Sequence, residues 1–471
     1  MDYTGYKHVG SSGDVPDCFM IPHGLVDFDS QGTRIEIDGS GKEMLIFHGD
    51  LWMIGRPYCR DCMVEMHVNN TFPTTLRHLP FGGSLSFVRF TRRQYRCPEC
   101  GKTVMQPVSF RAEHHRATKA LEQYAEDLLR HGYTNKEVSS ITGLGQGTVK
   151  EIDKCRLRRE YTENGQEEGT VVLKRPTEYA TQLSIDEFKL HNAYKYATHI
   201  IDLKSGHILW IGHGKGKQVV YDFIDHVGEE WMSHVEAVAC DMNSDFQEAF
   251  EERCEWIQPV FDYFHIVKNF NDNVIGAVRK DEQERLVKSG DIEGAKALKK
   301  TKYILTSKRS TLQRKDREAD EGKMLSHGSS LFHMPEVRRH GGYESKYNAL
   351  LSENSLLFTV DLVKEQLRAA FAETSEFAMS ERVMDIIDIC NATRNAHFQW
   401  FARLLQTHMI GIIAHATYRI SSGKIEGINN KIKTLRRQAY GIPDDEYFFL
   451  KVVDASYRPY VRNPKSHMFS H

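Results

Sequence analysis

Three acidic residues lie where a carboxylate is costly unless a cation neutralises it. Asp186 lies inside an apolar stretch, TQLSIDEFKL, and Asp241 directly follows another, VEAVAC. Glu426 begins a stretch rich in lysine and arginine, KIEGINNKIKTLRR, which otherwise suits contact with phosphate. An unpaired carboxylate is destabilising in an apolar strand and would repel a nucleic-acid backbone. The three acids therefore predict a divalent metal site that acts on a phosphate-bearing substrate.

Four cysteines form two pairs with the spacing of zinc ligands. Cys59 and Cys62 lie in YCRDC, and Cys97 and Cys100 lie in RCPECGK, with 34 residues between the pairs. Each short turn directs two sulfur atoms toward one tetrahedral ion. The stretch SLSFVRFTRRQYRC alternates like a strand, so we expect a hairpin between the pairs. The pattern predicts a structural Zn²⁺ site, and four unrelated buried thiols are the alternative.

The composition favours a cytosolic protein with reduced thiols. Nine cysteines make an odd number, which argues against a framework built only of disulfides. No apolar run reaches the length of a membrane span, and the first residues lack the pattern of a signal peptide. Five cysteines show no paired spacing and are expected in the core: Cys18, Cys155, Cys240, Cys254 and Cys390.

The net charge of −2 hides two strongly basic stretches. Residues 77–119 contain nine lysines and arginines against two glutamates, and residues 296–315 contain eight against no acid. Such stretches suit a polyanionic partner, although a solvated basic face is the alternative for each of them.

The stretch after the second cysteine pair reads as three helices. Thr134 is predicted to cap the second helix, with Glu137 as its capping-box partner and with Val138 and Ile141 facing inward. A glycine-rich turn, GLGQGT, precedes the third helix. This order predicts a helix-turn-helix, and a small three-helix bundle without DNA is the alternative. The first helix has apolar residues at helical spacing: Leu121, Tyr124, Ala125, Leu128 and Leu129.

The third helix carries the cations that would contact DNA. In a helix-turn-helix the last helix enters the major groove, so its basic residues are the expected contacts. The predicted DNA-binding residues of this helix are Lys150, Lys154, Arg156, Arg158 and Arg159.

The order of strands around the two aspartates predicts a ribonuclease-H-like core. Asp186 lies in the first of three strand-like runs that form an antiparallel meander, and a helix separates them from the strand that ends at Asp241. In such a core the first and fourth strands are neighbours, so the two carboxylates would meet at one end of the sheet. Exposed loop positions suit Asp202, Asp222 and Asp245 better.

Further along the chain, FDYFHIVKNFN runs from a strand into a helix and places Asp262 and His265 three residues apart. A histidine at a helix start is more often a capping or core residue than a functional one. From Asp241 to Glu426 is 185 residues, far more than a bare core needs, and helical patterns fill the interval. We therefore expect an inserted helical subdomain.

Together these motifs resemble the ISL3 group of bacterial insertion-sequence transposases. The resemblance is carried by CRDC, RCPECGK, LSIDEF, ACDMNSDF, FDYFHIVKNFN and KIEGINNKIKTLRRQAYG. It implies a DDE triad at Asp186, Asp241 and Glu426, and a D-x-x-H element in which His265 helps to hold DNA near the cleavage point. The chain departs from the common pattern at Tyr263, where a basic residue is usual, and in its first cysteine pair, which often reads CPxCG.

The stretch around Glu426 agrees with this resemblance. On a helix, Glu426, Asn429, Asn430, Lys433 and Arg437 share one face, so the acid can bind a metal while the others hold DNA. A surface glutamate in a basic helix is the alternative. The predicted DNA-binding residues of this helix are Asn430, Lys431, Lys433, Arg436 and Arg437.

The expected cofactors are two Mg²⁺ or Mn²⁺ ions at each active site and one structural Zn²⁺. The ions would be about 3.5–4 Å apart, bridged by Asp186 and completed by Asp241 and Glu426. The expected partner is double-stranded DNA, both terminal inverted repeats and target DNA, bound by a homodimer in the bacterial cytoplasm at the nucleoid.

The expected fold is multidomain α+β: an N-terminal zinc ribbon and helix-turn-helix, then a ribonuclease-H-like α/β core interrupted by a helical insertion. The function predicted is Mg²⁺-dependent cleavage and transfer of DNA strands. The alternatives are a catalytically inactive DNA-binding regulator and a nuclease that does not join strands. The expected boundaries are an N-terminal segment at 1–55, the ribbon at 56–110, the helix-turn-helix at 111–160, a linker at 161–177, the core at 178–273 and 396–460, the insertion at 274–395 and a tail at 461–471.

Overall fold

The chain divides into two compact units in a computed structural model. The first unit comprises residues 1–164 and the second residues 165–471. The predicted tail and most of the predicted N-terminal segment before residue 25, including Cys18, lie outside the described residues. The structure describes residues 25–39, 41, 43–52, 55–163, 171–190, 196–242, 244–322, 324–325, 337–338, 341–420, 423–438 and 444–458.

A five-stranded sheet forms the first part of the N-terminal unit. Its strands pair in the order β1-β2-β4-β3, and β5 also pairs with β4. All neighbours are antiparallel except β2 and β4, which are parallel. The sequence did not predict β1 and β2. The strands are β1 (Phe28–Ile37), β2 (Glu43–Leu51), β3 (His67–Phe81), β4 (Ser84–Arg96) and β5 (Thr103–Met105).

The hairpin predicted between the two cysteine pairs is confirmed. Strands β3 and β4 are antiparallel from His67↔Arg96 to Phe81↔Ser84. Gly82 and Gly83 form the two-residue turn, both with positive φ, which only glycine adopts without strain and which matches the twist of a hairpin. The hairpin carries the first cysteine pair at its start and the second at its end, so its register fixes their separation.

Three helices complete the N-terminal unit: α1 (Lys119–Arg130), α2 (Asn135–Thr142) and α3 (Gln146–Tyr161). The predicted capping box is confirmed, since Thr134 caps α2 and the Glu137 side chain accepts from the Thr134 N–H. Val138 is buried as predicted, but Ile141 is exposed because α2 turns the neighbouring Thr142 into the core instead.

The basic residues of α3 do not all face outward. Arg156 is completely buried and pairs with Asp153 and Glu160 of its own helix, at 2.7 and 2.9 Å. Lys154 is also buried. A buried side chain, and above all a guanidinium that pairs with two carboxylates, is poorly placed to reach a phosphate, and the DNA-binding role of these two residues stays a prediction. Arg159 is exposed but pairs with Glu126 of α1.

A second five-stranded sheet lies in the C-terminal unit. Its order is β10-β9-β6-β7-β8. The first three strands in sequence, β6 to β8, are antiparallel, whereas β6 with β9 and β9 with β10 are parallel. The strands are β6 (Gln182–Lys189), β7 (Tyr196–Asp202), β8 (Ile208–His213), β9 (Ala237–Cys240) and β10 (Gln258–Phe261).

Helices connect and surround this sheet. Three of them follow β8 and β9: α4 (Lys217–Val227), α5 (Glu229–Met232) and α6 (Ser244–Arg253). After β10 come α7 (Tyr263–Asn269), a π-helical segment (Phe270–Ile275), α8 (Gly276–Lys288), α9 (Ile292–Leu298), α10 (Lys302–Thr306) and α11 (Arg309–Asp320). A short antiparallel pair follows, β11 (Met324–Leu325) with β12 (Val337–Arg338).

The remaining helices bring the chain back to the sheet. They are α12 (Tyr343–Glu353), α13 (Ser355–Ala370), α14 (Glu376–Ala392), α15 (Ala396–Thr407), α16 (Met409–Ile413), α17 (His415–Tyr418), α18 (Gly423–Gln438) and α19 (Asp445–Tyr457). The helical patterns predicted between Asp241 and Glu426 are thus confirmed. These helices share one hydrophobic core with the sheet, and this core includes Leu183 of β6 and Leu357 of α13.

The structure confirms a mixed α/β protein with separate sheets and many helices. None of the described helices is long and apolar enough to cross a membrane. The division between the units at residue 164 lies within the stretch predicted as a linker, of which residues 164–170 lie outside the described part.

Replacing Arg156 should lower the free energy of unfolding of the protein, and should not affect DNA binding alone. Arg156→Met removes the guanidinium that lies 2.7 Å from the fully buried Asp153 carboxylate, and removing one partner of a buried pair costs about 3–5 kcal/mol. Arg159→Met is the matched control, because its exposed ion pair is worth about 0–1 kcal/mol. Urea denaturation of both variants checks this, and equal stabilities would contradict the structural role of Arg156.

Candidate active site and metal-binding cysteines

The two cysteine pairs come together at one point of the N-terminal unit. The sulfur atoms of Cys59, Cys62, Cys97 and Cys100 all lie within 4.8 Å of one another. Cys59 and Cys97 are buried, whereas Cys100 is exposed. The backbone N–H of Cys100 donates to the sulfur of Cys97 and lowers the pKa of that thiol to about 7. Thiolate character and this spacing fit a four-cysteine Zn²⁺ site.

Both cysteine pairs adopt the same turn although their sequences differ. In each, the N–H four residues after the first cysteine returns to its carbonyl: Met63 to Cys59 and Gly101 to Cys97. Both residues have positive φ, 56° and 71°. The first pair thus keeps this geometry with Met63 at the position that glycine occupies in the second. An ion pair of 2.8 Å between Lys102 and Asp61 joins the two turns.

Parallel pairing of β6 and β9 brings two acids to one edge of the second sheet. The register aligns Ser184 with Ala239, and continuing it by two residues places Asp186 beside Asp241. Asp186 and the residues next to Asp241 line one small cavity, with Asp262 and His265. Backbone N–H groups of the next residues, Glu187 and Met242, donate to the two carboxylates at 2.8 and 2.7 Å.

His265 pairs directly with Asp241. Its Nδ1 lies 3.2 Å from Oδ1 of Asp241, and both side chains are at most partly exposed. Burial raises the pKa of Asp241, but the hydrogen bond and charge of His265 outweigh it, so the pKa lies below its usual value. Asp262 caps α7 and so fixes the first turn on which His265 lies. The D-x-x-H spacing thus places both side chains at the cavity that Asp186 lines.

Helix α18 reaches the same site through an asparagine. The side-chain amide of Asn429 donates to Oδ2 of Asp186 at 2.6 Å, and the amide oxygen of Asn429 has no partner among the described residues. Ile425, one turn earlier, lines the cavity. Because Glu426 precedes Asn429 by three residues, it lies one turn away on the same side of the helix.

Glu426 itself is exposed in the first turn of α18. Among the described residues of the second unit, no group of three or more histidine, cysteine or acidic side chains is already arranged to hold a metal ion. The structure therefore brings together Asp186, Asp241 and His265, and leaves the Glu426 carboxylate exposed to solvent. Its assignment as the third metal ligand stays a prediction.

The cations of α18 fall into two groups. Arg436 donates to the carbonyls of Lys189 and Leu190, and Lys431 donates to the carbonyl of Ala455 at 3.0 Å. These contacts hold α18 against its neighbours, and the DNA-binding role of the two residues stays a prediction. The outward face of the helix carries Asn430, Lys433 and Arg437, which are exposed together with Glu426.

Two further titratable groups surround Asp186. Glu187 is half-buried, and burial together with the charges of Asp186 and Asp241 raises its pKa. His199 lies opposite Asp186 in the β6–β7 register and is fully buried, which lowers its pKa to about 4. A neutral His199 gives no compensating charge to Asp186, so the anionic character of the cavity is preserved.

Sequence reasoning missed Asn429 as a partner of Asp186 and did not include Asp262 in the site. A signal was present for each, since Asn429 follows Glu426 by one helical turn and Asp262 precedes His265 by one. Neither spacing reveals which way the side chain turns, because that depends on packing against strands far away in the sequence.

Carboxylates at the ends of adjacent strands, next to a helix with exposed cations, define a class of protein: enzymes of metal-dependent phosphoryl transfer. Comparison with known proteins agrees. Residues 183–452 match the sequence model of a DDE family, ISL3, described as "Transposase". This match covers both aspartates and Glu426. The chain belongs to the ISL3 family of DDE transposases.

Two curated relatives extend this similarity. The chain is 26% identical over 395 residues to the transposase for insertion sequence element IS1001 of Bordetella parapertussis, covering 84% of this chain and 87% of that protein. It is 24% identical over 291 residues to the transposase for IS1557 of Mycobacterium tuberculosis, covering 61% of this chain and 63% of that protein. These similarities therefore do not favour the alternative of a catalytically inactive DNA-binding regulator.

The cysteine cluster should hold close to one zinc ion per chain. Cys97→Ser should lower zinc content and the melting temperature of the full-length protein, because thiolate tetrahedra contribute folding free energy directly. Cys155→Ser is the matched control, since Cys155 belongs to α3 and lies outside the cluster. Atomic absorption and thermal denaturation check both variants. Zinc-free protein with reduced thiols and wild-type melting would contradict the assignment.

Asn429→Ala should slow DNA cleavage while leaving DNA affinity almost unchanged. The variant frees the Asp186 carboxylate, and loss of a group that orients a metal ligand typically costs about 10–100-fold in activity or metal affinity. Asn430→Ala, on the exposed side of the same helix, should instead weaken DNA binding. Single-turnover cleavage and filter binding separate the two effects. Wild-type cleavage by Asn429→Ala would show that its contact with Asp186 has no catalytic consequence.

Proposed function

We propose that this transposase binds the terminal inverted repeats of an insertion sequence and cleaves and transfers DNA strands through Asp186, Asp241 and Glu426. The observation that carries the proposal is the parallel pairing of β6 and β9, which puts the two aspartates side by side at an edge that α18 also reaches. The strand order, with three antiparallel strands followed by two parallel ones, supports a ribonuclease-H-like core.

The residues of this edge fit a divalent cation. Mg²⁺ and Mn²⁺ prefer oxygen ligands, and the site offers the carboxylates of Asp186 and Asp241. Two oxygens beside them, Oδ2 of Asp262 and the amide oxygen of Asn429, are buried without a partner among the described residues. Bound ions would supply a water of lowered pKa and stabilise charge on the leaving oxygen.

The side chains of the chain itself provide orientation. Asn429 and the Glu187 N–H hold the Asp186 carboxylate, while His265 and the Met242 N–H hold that of Asp241. Such preorganisation lowers the cost of bringing the reacting groups together. Glu426, exposed on α18 one turn before Asn429, would complete the acidic site when DNA is bound. The His265 ring then lies within reach of the strand near the cleaved phosphate.

DNA contacts are proposed on two helices, one in each unit. On α18 the outward residues Asn430, Lys433 and Arg437 would bind the phosphates of the strand at the active site, since they follow Glu426 along one face. On α3 the proposed contacts are Lys150, Arg158 and Arg159, whereas the buried Lys154 and Arg156 are poorly placed to reach a phosphate. Zn²⁺ in the cysteine cluster would stabilise the hairpin that precedes these helices.

Two alternatives make different demands on the structure. A DNA-binding regulator would need neither adjacent strand-end aspartates nor an asparagine that holds one of them, so the geometry favours an active enzyme. A nuclease on the same fold would cleave without joining strands. We propose a homodimer in the DNA complex, because an insertion sequence has two ends to be joined.

Glu426→Gln should reduce DNA cleavage and strand transfer by about 10²-fold or more, since a metal-assisted step would lose a ligand. DNA binding should survive or tighten slightly, because a carboxylate that faces phosphates has been removed while Lys433 and Arg437 remain. A gel assay with a labelled element end measures both effects.

If Glu426 is not the third ligand, the next candidates are Glu446, a buried acid in the first turn of α19, and Glu381 in α14. If Glu426→Gln keeps substantial cleavage while Asp186→Asn and Asp241→Asn are inactive, the third metal ligand is another acid.

A further inference from the structure

Asp262 is a buried carboxylate with one oxygen that the protein does not satisfy. The residue is 7% exposed and lines the cavity shared by Asp186 and His265. Its Oδ1 accepts the N–H of Phe264 at 3.2 Å, as an N-cap does. Its Oδ2 has no hydrogen-bond partner among the described residues. Such an oxygen costs free energy unless a cation or donor occupies the cavity.

The cations near Asp262 do not neutralise it. His265 is nearby, but its Nδ1 is directed to Asp241 at 3.2 Å. His415 is close enough to interact with Asp262, yet burial lowers the pKa of its ring, which favours the neutral form. Asp186 adds a further negative charge to the same cavity. The cavity therefore combines several acids with an unsatisfied carboxylate oxygen, which is the arrangement that a divalent cation stabilises.

Helix capping alone does not explain the burial. Capping uses one oxygen, and the chain has a matched example in Asp291, which caps the seven-residue helix α9 through the N–H of Gly294 at 2.9 Å. Asp291 is exposed, so its second oxygen can be solvated by water. Asp262 caps the seven-residue helix α7 in the same way but keeps its second oxygen in the cavity beside Asp186.

We propose that Asp262 is a further ligand of the active-site divalent cation, binding it through Oδ2 together with Asp186. The inference rests on the proposed function, because it assigns a new residue to the same metal site. It gives the first residue of the D-x-x-H element a role of its own, and it adds an oxygen ligand on the buried side of the site, opposite the exposed Glu426.

Mn²⁺ titration of zinc-loaded, full-length protein tests the proposal without DNA, with free Mn²⁺ followed by electron paramagnetic resonance. Asp262→Asn keeps an N-cap, because asparagine caps as well as aspartate, and removes the charge. We expect its Mn²⁺ affinity to fall by about tenfold or more. Asp291→Asn, the same change on α9, should keep wild-type affinity. Asp186→Asn should lose binding.

Melting temperatures provide a second readout. Without Mn²⁺, Asp262→Asn should be as stable as wild type or more stable, because a buried charge without a partner has been removed. Added Mn²⁺ should raise the melting temperature of wild type and of Asp291→Asn more than that of Asp262→Asn.

The outcomes separate the inference from the proposed function. Wild-type Mn²⁺ affinity in Asp262→Asn, with binding lost in Asp186→Asn, would overturn the role of Asp262 and leave the proposed function intact. Wild-type protein that binds no Mn²⁺, or an Asp186→Asn variant that binds it normally, would overturn both. Equal losses in Asp262→Asn and Asp291→Asn would show that the effect is not specific to the active-site oxygen, and would overturn the role of Asp262.

Discussion

The parallel pairing of β6 with β9 is the constraint on which the rest of the active site depends. Two carboxylates far apart in sequence become neighbours only because this register aligns Ser184 with Ala239 and so carries Asp186 to Asp241. Every other group of the site acts on this pair: Asn429 holds one acid and His265 holds the other. His265 compensates the charge of Asp241, whereas the neutral, buried His199 gives no compensating charge to Asp186. This edge of the sheet therefore favours the binding of a cation.

Basic side chains have two different roles in this protein, and the two groups differ in how deeply they are buried. Arg156 neutralises Asp153 inside the N-terminal unit, while Lys431 and Arg436 donate to main-chain carbonyls and fix α18 against the C-terminal sheet. Lys433 and Arg437 remain outward on the same helix. Helix α18 thus obtains its position from one set of cations, and we propose that the outward set contacts DNA. The positions alternate because opposite sides of a helix meet different surroundings.

The sequence predicted features whose evidence is local and could not predict those that depend on distant partners. The capping box at Thr134, the hairpin between the cysteine pairs and the strands around Asp186 and Asp241 follow from spacing and alternation. The burial of Arg156 and the outward turn of Ile141 do not, since both depend on which helix face packs. Asn429 reaches Asp186 across 243 positions, so its role appears only in three dimensions. Strand β1 was missed because its pattern is only weakly apolar, whereas the apolar run MLIF of β2 was a signal that could have been used.

The central claim is that this edge of the sheet both cleaves DNA and joins strands. Its most direct test is to incubate the full-length protein with Mg²⁺, a labelled terminal DNA of the insertion sequence and a target plasmid, and to resolve the products on a denaturing gel. The account predicts a cut at the element end and a labelled strand joined to the plasmid, both absent with Asp241→Asn. Cut DNA without any joined product would contradict transposition and indicate a nuclease. Products that persist with Asp241→Asn would contradict the active site itself.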